Sequence, residues 1–116
     1  MISLLLLAAV TATAASPLLT YQGRDNQLKV AVPRLDESIE VDGQLTDPAW
    51  ANAARLTDFS QYSPNDGRPA EQSTEVLVFY SASAIHFGVR AEAPKGSVRA
   101  SLAQRDKLSA EDTVTF

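Results

Sequence analysis

Residues Ser73–Glu92 read STEVLVFYSASAIHFGVRAE. Two runs rich in β-branched and aromatic residues flank a short polar connection. In the first, Val76, Val78 and Tyr80 share one face of an extended chain, and Leu77 and Phe79 share the other. Apolar residues on both faces mark a central strand covered on each side. In the second, Ile85, Phe87, Val89 and Ala91 alternate with His86, Gly88, Arg90 and Glu92. That is the period of a half-buried strand, and it predicts that the apolar set turns inward. Ser81 to Ala84 is the length of a hairpin loop.

Upstream the chain continues in β-type pieces separated by turns. Ser63 to Pro69 reads SPNDGRP, a loop dense in turn residues. Ile39 to Trp50 reads IEVDGQLTDPAW. Ile39 and Val41 alternate with Glu40 and Asp42, and Asp42-Gly43 turns the chain. Asp47-Pro48 has the form of a helix start, with Asp47 as cap and Pro48 at the first helical position. Ala49 to Ala54 is then one or two turns, too short to stand alone. Trp50 is the large apolar side chain that can hold it, so Trp50 is expected in the core. Leu28, Val30 and Val32 alternate with Lys29 and Ala31 and predict a further strand, ended by Pro33. Residues 16–27 lack clear periodicity and form an extended lead-in.

Downstream, Arg105 to Phe116 reads RDKLSAEDTVTF. Thr113 to Phe116 starts another strand, with Val114 and Phe116 on one face, and the chain stops there. Short strands spaced by turns, with almost no helix, predict an all-β fold. The expected form is an antiparallel β-sandwich, jelly-roll-like, over residues 28–116. A strand at the extreme C-terminus suggests that this sandwich is incomplete and that the chain is a fragment.

Composition limits the chemistry. The chain has 116 residues, enough for one domain at most, and a formal net charge of -4. It contains no Lys/Arg run, and a mildly acidic chain has no general attraction for nucleic acid. With no Cys and one His, there is no thiolate nucleophile, no disulfide and no two-His metal site. Glycoside hydrolysis needs paired carboxylates flanking a cleft. Glu111 and Asp112 are adjacent and on a strand would point to opposite faces. No G-x-S-x-G stretch supports a serine nucleophile. The chain is therefore read as non-catalytic.

The N-terminus reads MISLLLLAAVTATAASP. Its apolar run falls well short of the roughly 20 residues of a transmembrane helix. Ala12-Thr13-Ala14 has the A-x-A form of a signal-peptidase site, so residues 1–15 are expected to be a signal peptide. The mature chain is then exported to the periplasm, to the outer membrane or out of the cell.

Taken in order, IEVDGQLTDPAW, TEVLVFY, IHFGVRAEAP and RDKLSAEDTVTF resemble the amino-terminal part of the family 9 carbohydrate-binding module, in the version found at the start of bacterial envelope proteins. The resemblance spans Val30 to Phe116. It implies a β-sandwich, sugar binding outside the cytoplasm beside glycan breakdown, and calcium in some members. In longer members the rest of the chain resembles an outer-membrane β-barrel.

Residue by residue, Asp42, Gly43, Asp47 and Trp50 match the family's turn and peg, which are structural. Arg105, Asp106 and Asp112 match a late charged cluster implied in sugar binding. Four positions depart from the pattern. Ser81 stands where an acidic residue often follows the third strand, and His86 where the family usually has Tyr. Ser109 stands where sugar-binding members stack an aromatic ring, and Thr115 stands where they place a Glu.

From the residues themselves, sugar recognition needs flat rings against C–H faces and planar polar groups for hydroxyls. Phe59 and Tyr62, just before the turn-rich loop, are the aromatics least tied to a strand, and Tyr62 is the candidate contact. Asp106, Glu111 and Asp112 are dense enough in carboxylates to hold Ca²⁺ if backbone oxygens join them. The expected partner is a polysaccharide or oligosaccharide. The competing reading is a structural or interaction domain of an outer-membrane protein that keeps the sandwich and has lost the sugar site.

Overall fold

The computed structural model describes residues 19–99 and 113–116. It is built mainly of strands: β1 (Thr20–Gln22), β2 (Ala54–Thr57), β3 (Thr74–Tyr80) and β4 (Ile85–Ala91). They form one four-stranded sheet in the order β1-β2-β3-β4. The sheet is mixed rather than antiparallel. β2 and β4 each run antiparallel to β3, but β1 lies parallel to β2, with Tyr21 opposite Leu56. Parallel neighbours need a long crossover, and here residues 23–53 supply it.

The hairpin forms as its alternation predicts. Seven residue pairs join β3 to β4, from Thr74 opposite Ala91 to Tyr80 opposite Ile85. β3 is an inner strand, and Val76, Leu77, Val78 and Phe79 are all buried.

Three other predicted strands do not form, and one of them is Thr113–Phe116, whose residues join no ladder. Leu28–Val32 joins no ladder. Its anchors are a hydrogen bond from the Ala31 N–H to the Tyr21 hydroxyl (3.1 Å) and, beyond it, a bridge to the end of β3. There the Leu35 N–H donates to the Tyr80 carbonyl (2.9 Å) and the Tyr80 N–H donates to the Pro33 carbonyl (3.0 Å). Ile39–Val41 also stays out of the sheet. Ile39 packs on the core, while Val41 is 95% exposed. In the expected lead-in, residues 20–22 instead form β1.

The core lies on one face of the sheet. Pro48–Asn52 forms a 3-10 helix, tighter than the expected α-helical turns, with Pro48 at its start. Asp47 precedes it in extended conformation, but its side chain makes no capping bond. Its backbone carbonyl accepts the Trp50 N–H instead (3.1 Å). This short helix delivers Ala49, Trp50 and Ala53 onto Leu77 and Phe79 of β3, with Leu35, Ile39 and Leu45 packed around them. The Trp50 and Phe79 rings meet edge to face at 5.2 Å, a favoured aromatic geometry. Burying an indole removes about 150–250 Å² from water, a gross gain of roughly 4–6 kcal/mol.

The face of β4 that meets this core reverses the sequence expectation. Leu77 lies opposite Gly88, and Phe79 lies opposite His86. The polar-looking set of β4 therefore points at Trp50. His86 stacks on Phe79 with ring centroids 4.6 Å apart. Gly88 is buried because the indole occupies the volume of a side chain there. A Cβ at Gly88 would come 2.6 Å from Leu45 Cδ2 and 3.1 Å from Trp50 Cζ3. The set expected to turn inward, Ile85 and Phe87 above all, sits on the opposite face and is 64% and 44% exposed.

Candidate functional site

Of the residues singled out for sugar binding, Tyr62 alone is described. Arg105, Asp106 and Asp112 lie outside the described residues, as does Glu111 of the candidate calcium set. Among the described residues, no group of three or more His, Asp or Glu side chains is arranged to hold a metal ion.

Tyr62 stands on the connection from β2 to β3 and is 88% exposed. That connection folds back on itself. Ser60 bridges Pro69, the Gln61 N–H donates to the Arg68 carbonyl (2.7 Å), and the Ala70 N–H donates to the Phe59 carbonyl (3.2 Å). Phe59 is thus held at the base of the loop and Tyr62 lies farther out along it. The Asp42-Gly43 turn, far from this loop in sequence, closes through the Gln44 N–H donating to Asp42 Oδ1 (2.8 Å), with Gly43 at φ 82°. That geometry is an Asx-type turn, and Gly43 takes the positive φ at no steric cost.

At one end of the sheet a cleft of about 460 Å³ opens, within the size range of small-molecule sites. Five segments wall it: the turn after β1 with Arg24, the end of β2, the loop base with Phe59, the start of β3 with Glu75, and Glu92 just past β4. Its backbone frame is fixed by the Glu92 N–H donating to the Ser73 carbonyl (2.9 Å). Asp58, in the left-handed region at φ 56°, turns the chain out of β2 into the loop. Asp tolerates that conformation better than most residues. Its carboxylate pairs with Arg24 at 3.2 Å.

Glu75 sits where two guanidinium groups meet it. Arg55 of β2 lies 2.6 Å away and Arg90 of β4 lies 3.8 Å away. The Glu75 side chain is 16% exposed. Its hydrogen bond, with its charge second, holds Arg55 above the ordinary guanidinium pKa. Arg55 therefore contributes its charge throughout the working pH range, and loss of that proton lies far above it. Phe59, Gln72 and this carboxylate-rich lining were not marked as a unit by spacing. They gather only because β1, β2 and β4 end here and β3 begins here.

A second concavity is apolar. Val30, Val32, Leu56, Val78, Ile85 and Phe87 line an open trough on the sheet face away from Trp50. Phe116 stacks on Phe87 with centroids 4.1 Å apart. In the hairpin loop, Ser81 Oγ lies 3.4 Å from His86 Nε2. The same Oγ accepts the Ala84 N–H (3.3 Å), so it closes the turn and is not presented as a nucleophile. Compared with protein-family models, curated proteins and solved structures, the chain has no match.

Proposed function

We propose that this chain is a non-catalytic, exported carbohydrate-binding module associated with polysaccharide breakdown. The observation that carries the reading is Tyr62, a ring 88% exposed on a loop whose base is pinned by backbone hydrogen bonds. A solvent-facing ring is the group that stacks on the C–H face of a sugar. The order of motifs from Ile39 to Phe116 and the A-x-A segment at Ala12–Ala14 support the same reading. Calcium, if the module uses it, falls to Asp106, Glu111 and Asp112, and these with Arg105 form the second candidate contact set.

The finer fold that goes with this function is a β-sandwich. The trough on the open face has the make-up of a sandwich interior, and Phe116 on Phe87 is where an opposing strand would begin to cover it. In longer members of the family that the chain resembles, the rest of the sequence resembles an outer-membrane β-barrel.

Isothermal calorimetry against xylan, cellulose and β-glucan oligosaccharides tests the function. Millimolar binding is expected, weakened about tenfold by Tyr62→Ala, since one ring stack contributes of order a kcal/mol. Heats indistinguishable from dilution for every oligosaccharide at tens of millimolar would reject it. The chain would then be a structural or interaction domain of an envelope protein, the reading that Ser109 in place of a stacking ring favours.

A further inference from the structure

Resting on the carbohydrate reading, we infer that the cleft at the end of the sheet is a saccharide subsite for neutral sugars, with Phe59 as its platform and Gln72 and Glu92 as hydroxyl partners. Phe59 is 37% exposed, so part of its ring is open to a ligand while its backbone is fixed through Ala70. Gln72 and Glu92 are exposed on the same lining. A planar amide both donates to and accepts from vicinal hydroxyls, and a carboxylate accepts two of them. Arg24 and Asp58 already satisfy each other at 3.2 Å and give the wall a fixed shape.

The charge of the lining sets the class of sugar. Four carboxylates (Asp58, Glu71, Glu75, Glu92) face one guanidinium, Arg24. Arg55 and Arg90 offset Glu75 from behind. The remaining excess is negative, so a uronic acid entering the cleft meets like charge, whereas a neutral sugar supplies only hydroxyl donors.

The test is a titration of the whole chain, followed by backbone amide NMR, with xylo- or gluco-oligosaccharides and with an oligogalacturonate of equal length. Expected are shifts concentrated at Asp58, Phe59, Gln72, Ser73 and Glu92 with the neutral ligands, and an affinity at least tenfold lower for the uronate. Phe59→Ala should weaken neutral binding about tenfold. Gln72→Ala, a surface change that leaves the core alone, should weaken it severalfold with an unchanged melting curve. Neutral binding with shifts confined to the Tyr62 loop, or unaffected by both substitutions, would overturn the cleft while leaving the carbohydrate function standing. Uronate binding as tight as neutral binding would overturn the assigned class. Binding of no oligosaccharide would reject the function and the subsite together.

Discussion

The two faces of the sheet are made from the same two strands and have opposite fates. On one, Leu77 and Phe79 meet Trp50, Ala49 and Ala53 and form the buried cluster. On the other, Val76 and Val78 are buried, but Ile85 and Phe87 of β4 stay 64% and 44% exposed. Hydrophobicity alone does not decide which face is closed. What decides it is which face has a partner able to approach. The Pro48–Asn52 helix presents small Ala residues beside one indole, and Gly88 clears the space opposite. On the far face Val30, Val32 and Phe116 cover the set only in part, and an open trough remains between them.

The largest effect that can break this contrast is at Trp50. Trp50→Ala should cost about 3–5 kcal/mol, a large part of the roughly 5–15 kcal/mol a small domain holds. The variant should lose its β-type circular dichroism and become rapidly proteolysed. Trp50→Phe keeps a ring in place and should retain most of the signal. If Trp50→Ala melts like the parent, the closed face is not what holds the sheet.

Next comes Gly88. The added methyl of Gly88→Ala runs into Leu45 and the indole. Overpacking of this kind costs about 1–3 kcal/mol, measurable as a lower urea midpoint at unchanged slope. A neutral or stabilising result would mean that the indole does not press on β4.

A smaller effect belongs to the charged end of the closed face. Glu75→Gln removes the partner of Arg55 and should cost below about 1 kcal/mol, with the difference from the parent shrinking in molar salt. A cost of several kcal/mol would show that the pair is buried.

The smallest change is expected on the open face. Ile85→Ser should shift stability of this chain by no more than about 0.5 kcal/mol. A loss above about 2 kcal/mol would mean that the trough is covered in solution, which would sharpen the sandwich proposal by locating its interior.

The hairpin was legible because its signals are local: alternation, β-branched residues and a short polar loop in twenty consecutive positions. Trp50 was legible as a core residue because a short helix with one large side chain has little else to bury. The inward face of β4 was not legible. Period 2 separates Ile85 and Phe87 from His86 and Gly88, but it cannot say which set meets a neighbour. The deciding partner, Trp50, is 38 residues before Gly88 in the chain. β1 and β2 were missed for a related reason. At three and four residues they carry no period, and their pairing of Thr20 with Arg55 spans a long crossover. Leu28–Val32 erred in the other direction. Its alternation lines the trough through Val30 and Val32, yet the segment joins no ladder. The site followed the same pattern. Tyr62 could be read as free from the turn residues beyond it, whereas the cleft needs the ends of four strands.

The position of Trp50 also makes the molecule its own optical gauge. It is the chain's one indole, and its Nε1 is buried without a hydrogen-bond partner among the described residues. An excited indole so enclosed has no water dipoles to relax around it. The native protein should therefore emit at short wavelength and resist acrylamide, with the band moving red in step with loss of the sheet. Unfolding of the core can thus be followed without attaching a dye to a chain that has no cysteine to carry one.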